Sequence, residues 1–169
     1  MHPSDEDDIT PPDPAQHKKL LDKIRRHALY LLTRRDHTLL ELKQKLSRKD
    51  YPTTDIDAIL IRLEETGLIN PRRFTESYTH YRRNKGYGPK RIAMELQTKG
   101  IEEAVIAEHI QITDNAWLND IQKIWRKHFK GQRPTDPKTH AKQLRFLYNR
   151  GFTQNQINNL FKNSDALDE

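Results

Sequence analysis

Apolar residues recur along this chain at intervals of three and four, the spacing that lines one face of a helix. Leu20, Leu21, Ile24, Ala28, Leu31 and Leu32 form a first stripe, Leu39, Leu42 and Leu46 a second, and Ile56, Ile59, Leu60 and Leu63 a third. Phe74, Tyr78 and Tyr81, then Ile92 and Leu96, then Ile106 and Ile110 repeat the series. Trp117, Ile121, Ile124 and Trp125, then Leu144, Leu147 and Tyr148, then Ile157, Leu160 and Phe161 complete it. The pattern predicts nine helices in three groups of three. Only Ile110 to Thr113 alternates as a strand would, a stretch too short to outweigh a helix end.

Punctuation between the stripes is helical as well. Asn70-Pro71, Gly88-Pro89, Asp136-Pro137 and Asp13-Pro14 each set a capping-competent residue before a proline, and a first helical turn needs no N–H at that position. Thr54 with Asp57 and Thr153 with Gln156 have the spacing of capping boxes. Five of the six glycines, at 67, 86, 100, 131 and 151, fall where a stripe stops, and Gly88 precedes a start.

The groups also resemble one another in detail. Leu46 to Tyr51, Leu96 to Ile101 and Leu147 to Phe152 superpose at spacings of 50 and 51 residues, each with a leucine, a basic residue three places on, a turn residue and an apolar residue. Ile56 and Leu60, Ile106 and Ile110, and Ile157 and Phe161 extend the match. One supersecondary unit stacked three times is implied, an all-α fold whose extended surface suits an elongated partner. The expected divisions are an acidic, proline-rich disordered tail over 1–14, three-helix repeats over 15–70, 71–113 and 114–163, and a short acidic tail over 164–169. The joints between repeats are short and expected to flex.

Composition agrees with several small cores: the chain has 169 residues, 34% of them apolar, and a mean hydropathy of −0.99. Cysteine is absent, which excludes disulfides and thiolate chemistry. No apolar run is long enough for a membrane span, so a cytoplasmic protein is expected. The net charge of +6 conceals an asymmetry, because residues 1–14 hold five acids and no base while 71–100 carry +6 and 114–163 carry +7. Such a field attracts polyanions.

Catalytic patterns do not emerge. Gly86-Tyr87-Gly88-Pro89-Lys90 lacks the spacing of a phosphate loop, the eight histidines form no pair at helical spacing, and no serine sits in a nucleophile motif. A non-enzymatic protein without metal or cofactor is expected. Basic residues instead come in adjacent pairs. Arg34 with Arg35, Arg82 with Arg83, and Arg126 with Lys127 lie at helix ends, where the dipole favours cations. Arg72, Arg73, Lys90 and Arg91 occupy first turns, where it does not, which makes them the first choice for partner contacts. Tyr87 lies between Gly86 and Gly88, beside Arg82, Arg83 and Lys85. It either stacks on a partner's base or covers the edge of its own repeat.

The run Leu68-Ile69-Asn70-Pro71-Arg72-Arg73-Phe74 through Tyr78, followed by Arg82, Arg83, Gly86-Tyr87-Gly88-Pro89-Lys90-Arg91-Ile92, Glu95-Leu96 and Lys99-Gly100-Ile101, closely resembles the central signature of the RecX family of recombinase regulators. Ala28 to Arg34 and Leu39 to Leu46 look like that family's first unit, and Arg150-Gly151-Phe152 resembles part of its third. The resemblance implies three tandem three-helix repeats in an elongated, curved array. It further implies binding to the RecA recombinase filament, with contact to its single-stranded DNA through the filament, and inhibition of its ATPase, strand exchange and growth in recombinational repair and the SOS response. A monomer is expected, since no heptad run demands an oligomer. Two other readings are an autonomous helix-turn-helix-like DNA-binding protein acting without a recombinase, and a scaffold for another helical partner.

Overall fold

The computed structural model describes residues 13–113 and 115–163, and these contain nine helices and no strand. They are α1 (Pro14–Arg34), α2 (Leu39–Ser47), α3 (Thr53–Glu65), α4 (Pro71–Asn84), α5 (Pro89–Thr98), α6 (Glu103–His109), α7 (Ala116–Phe129), α8 (Pro137–Asn149) and α9 (Gln154–Asn163). The acidic segments 1–12 and 164–169 lie outside the described residues.

All four residue–proline pairs start helices. Asp13, Asn70 and Asp136 accept first-turn N–H groups of α1, α4 and α8 through their side chains. Pro14, assigned to the tail by composition, is therefore the first residue of α1. Thr153 and Gln156 form the reciprocal box, with bonds of 2.9 and 3.2 Å. Thr54 and Asp57 do not: α3 begins two residues earlier than such a box requires, at Thr53 behind Pro52, and Asp57 pairs with Lys43 on α2 at 2.7 Å. A box that the stripes did not announce joins Thr38 and Glu41 at the start of α2. Ile110 follows α6 as its cap, and the short alternation ending at Thr113 is turn rather than strand.

The three superposable segments share one turn, with Asp50, Gly100 and Gly151 in the left-handed region at φ 56°, 81° and 91°. In the second and third copies the next apolar residue reaches back into the helix, Ile101 N–H to the Leu96 carbonyl at 3.1 Å and Phe152 N–H to that of Leu147 at 3.3 Å. This closing bond satisfies a carbonyl that the helix end leaves open and turns the apolar residue inward.

The described residues form two compact units, divided between Ile69 and Asn70. In the first, α1, α2 and α3 close on Ile24, Ala28, Leu42, Leu46, Ile56, Leu60 and Leu63. In the second, α4 packs with α5 and α6, and α7 packs with α8 and α9. One core runs through both triples, from Phe74, Ile92 and Leu96 to Trp117, Ile121, Trp125, Leu147 and Ile157. The second and third repeats thus share their interior, and the flexing joint expected near 113 to 114 does not divide them. Two residues of the apolar stripes, Tyr81 and Tyr148, are instead 54% and 55% exposed.

The seam between those repeats is backbone against backbone. Gly88, which caps α5 without a side chain, donates its N–H to the Arg150 carbonyl at 2.7 Å, and Lys90 donates to that of Gly151 at 3.0 Å. A Cβ on Gly88 would lie 2.6 Å from the Gly151 carbonyl carbon, and one on Gly151 would lie 2.4 Å from the Arg91 nitrogen. The glycines are what let the two chains approach this closely.

Candidate partner-binding surface

Several residues that the sequence offers as partner contacts are engaged within unit 2. Glu95 on α5 accepts from Arg82 at 2.7 and 2.6 Å, from the Tyr78 hydroxyl at 2.9 Å and from Arg91 at 3.1 Å. Burial pushes its carboxyl upward, but the hydrogen bonds from Arg82, Tyr78 and Arg91 outweigh this and hold it below the usual carboxylate range. Burial likewise opposes the charge on Arg82, and its pairing with Glu95 prevails. Tyr87 is half-buried beneath three guanidiniums, those of Arg82, Arg91 and Arg150, at 3.7, 4.8 and 5.1 Å from its ring centre. Of its two readings, the structure favours the one in which it covers its own repeat. Arg91 also donates to the Asn149 carbonyl and Arg150 to the Lys85 carbonyl, each at 3.0 Å, so the stack fastens repeat two to repeat three.

Two of the four first-turn cations, Arg72 and Arg91, have partners within the fold and so are not free contacts held at a cost. Arg91 gains Glu95 and a carbonyl, and Arg72 makes a two-pronged pair with Glu108 of α6 at 2.8 and 2.9 Å. Donating to Glu108 raises the Arg72 pKa, and the same hydrogen bond lowers that of the Glu108 carboxyl. A partner 36 residues away compensates the unfavourable dipole, which no local reading reveals. Arg83 pairs with Asp120 of α7 at 2.6 Å and lies over the Trp117 ring at 4.5 Å. Arg73 is exposed, and its backbone N–H caps onto Asn70.

Lys85, Lys90, Arg126 and Lys127 are different: all are exposed, and none has a carboxylate partner among the described residues. Lys85 lies only near the Tyr81 ring, at 5.7 Å. The packing of the two triples brings Lys127 to the end of α4, where a groove of about 230 Å³ gathers Arg83, Lys85, Asp120, Lys123 and Lys127. Lys123, flanked by Gln122 and Ile124, belongs to no adjacent basic pair. Its spacing of four from Lys127 is the one that puts two charges on the same helix face. The same spacing rule exposes a second row, Lys138, Lys142 and Arg145 on α8.

Among the described residues, no group of three or more acidic or histidine side chains is arranged to hold a metal. No described helix is long and apolar enough to cross a membrane.

Models of the first, second and third three-helix domains of RecX match residues 25–63, 72–110 and 118–161. The regulatory protein RecX of Pseudomonas entomophila strain L48 is 39% identical over 145 residues, 86% of this chain and 94% of that protein. That of Pseudomonas tolaasii is equally similar, at 39% identity over the same shares. The crystal structure of RecX from Lactobacillus salivarius superposes with a TM-score of 0.75 at 23% identity, over 88% of this chain and 99% of that one. With nine helices among its described residues, three matched domain models and relatives at 39% identity over most of its length, the chain belongs to the RecX family.

Proposed function

We propose that this protein binds the RecA recombinase filament on single-stranded DNA and lowers its ATP hydrolysis, strand exchange and growth, acting as a regulator without catalysis of its own. Membership of a family of proteins named as regulators supports the first step. The observation that carries the reading is the set of uncompensated cations on unit 2, Lys85, Lys90, Arg126 and Lys127, in a region where Arg72, Arg82, Arg83 and Arg91 are already paired with carboxylates. A nucleoprotein filament is long and anionic, and several linked weak contacts along it raise avidity without any single strong site.

The test is DNA-dependent ATP hydrolysis by the matching recombinase, titrated with substoichiometric protein. Hydrolysis should fall, and charge reversal at Lys85, Lys90, Arg126 and Lys127 should raise the required concentration by about tenfold or more, because each charge acts on encounter and retention. Helicity should stay unchanged in that variant. An unaltered hydrolysis rate, with no retention on filaments, removes the proposal.

A further inference from the structure

A second cationic concavity of unit 2 lies between the end of α7 and the outer face of α8. It comprises two contiguous hollows of about 810 and 690 Å³ that share His128, Phe129, Thr139 and Lys142. Along one edge run Lys138, Lys142 and Arg145, exposed and without a carboxylate partner among the described residues. Their spacing of four and three sets them on one side of α8, over about 10 Å of helix. The acid in the groove, Asp136, is turned onto the start of α8 and accepts from the N–H groups of Lys138 and Thr139 at 2.8 and 2.9 Å. It does not neutralise the row.

Beside this row lies a flat aromatic surface. The exposed His128 ring stacks on Phe146, centroids 4.0 Å apart and planes 14° from parallel. Phe129 braces both rings edge-on, at 4.7 and 5.2 Å. Phe129 and Phe146 are half-buried against the core, so the platform is fixed by packing while its His128 end faces solvent. A single line of cations matches one phosphate track, and a fixed planar ring beside it matches an unstacked base. A duplex keeps its bases paired and stacked away from such a ring, and a purely acidic peptide has no aromatic ring to lay against it.

We infer that the α7–α8 groove of the third repeat binds single-stranded nucleic acid directly, with phosphates along Lys138, Lys142 and Arg145 and a base against His128. This site is separate from the cations of the preceding proposal and needs no recombinase, so the two readings fail separately: one by recombinase hydrolysis, the other by strand binding to the protein alone.

The experiment is fluorescence anisotropy of a labelled oligothymidylate of about 20 nucleotides, enough to span such a site, with the full chain at slightly alkaline pH. Neutralising the row as Lys138→Ala, Lys142→Ala and Arg145→Ala should weaken binding at least tenfold. It should also flatten the log–log salt slope by about 2, given roughly 0.7 per phosphate contact on a single strand. His128→Ala should weaken binding about fivefold or more with the salt slope unchanged, as loss of stacking predicts and loss of charge does not. The control pair Lys123→Ala and Lys127→Ala should have a smaller effect than the α8 row. The inference is overturned if the control pair matters as much as the row, if a duplex of equal phosphate number binds as tightly, or if polyglutamate displaces the strand at comparable charge.

Discussion

The seam at Gly88 offers the sharpest test of the claim that repeats two and three form one folding unit. In Gly88→Ala the new Cβ would meet the Gly151 carbonyl carbon and the Phe152 nitrogen, both at 2.6 Å. Unstrained contacts lie near 3.5 to 4.0 Å, so the two backbones must part by about 1 Å. Neither neighbour is a flexible side-chain end, so the strain has no inexpensive release, and overpacking of this kind costs about 1–3 kcal/mol. The same parting stretches the bonds from Gly88 to Arg150 and from Lys90 to Gly151, now 2.7 and 3.0 Å. Each is worth about 0.5–1.5 kcal/mol net, and the total expected loss is about 2–6 kcal/mol.

Both tryptophans, Trp117 and Trp125, are buried in unit 2, so their fluorescence in urea follows that unit alone. The midpoint should fall by about 1–2 M at ordinary urea sensitivities. Gly67→Ala is the matched control: Gly67 has φ +75° with open space around its Cβ position, and it belongs to unit 1. It should carry only the left-handed backbone cost, about 1–2 kcal/mol, and leave the tryptophan transition in place. If Gly88→Ala shifts that transition by less than about 0.5 kcal/mol, the level of an ordinary surface change, the seam does not hold the repeats together.

Glu95→Gln keeps the shape of the hub but removes its charge, and should destabilise the tryptophan-monitored unit by about 1.5–3 kcal/mol, the range for hydrogen bonds to charged groups. Because the folded carboxyl sits below its ordinary 4.5, its contribution is present above that pH and is lost as pH falls through the folded value, so the variant should show a flatter acid limb in urea titrations. His37 is buried, its Nδ1–H donating to the Arg35 carbonyl and its Nε2 accepting from Lys45, both at 2.9 Å. Burial first, then the Arg35 and Lys45 charges, lower its pKa, and burial lowers that of His27 as well. The unfolded chain then binds more protons below 6.5, so unit 1 should lose stability as pH falls through that value and regain it on return. A ring titration of His37 at or above 6.5 by NMR would contradict this. In Gln143→Leu the Trp125 indole loses its acceptor at 2.8 Å and the Gln132 carbonyl its donor at 2.8 Å, for an expected cost of about 1–3 kcal/mol read by the same urea unfolding.

What the sequence made visible was whatever is local. Helix starts at residue–proline pairs, left-handed ends at Gly67, Gly86, Gly100, Gly131 and Gly151, and the threefold turn are all set by a few neighbouring residues, and all appear in the structure. The Thr54–Asp57 box is absent because α3 starts at Thr53 behind Pro52, which leaves Asp57 a full turn inside the helix, where it pairs with Lys43 of another helix. The partner surface was harder to read for the same reason. Whether an arginine is available depends on acids and carbonyls 13 to 65 residues away, such as Glu95 for Arg82, Glu108 for Arg72, Asn149 for Arg91 and Lys85 for Arg150. The Lys123–Lys127 pair and the Lys138, Lys142 and Arg145 row are legible in the same three-and-four spacing that marks the apolar stripes.

The division of labour between the two basic residue types has a physical basis. A chain with 34% apolar residues has little hydrophobic material with which to close a seam. Arg82, Arg91 and Arg150 supply planar forks that cover the Tyr87 ring and at the same time bind a carboxylate or a carbonyl, which a lysine ammonium cannot do from one position. The unpaired cations are mostly lysines, Lys85, Lys90, Lys123, Lys127, Lys138 and Lys142, compact charges on flexible stems that suit a polyanion without fixed geometry. Salt acts unequally on the two sets. With a screening length of about 8 Å at physiological ionic strength, contacts from exposed lysines weaken first, while the short bonds of the half-buried stack are screened much less. Added salt should therefore release the partner well before it loosens the joined second and third repeats.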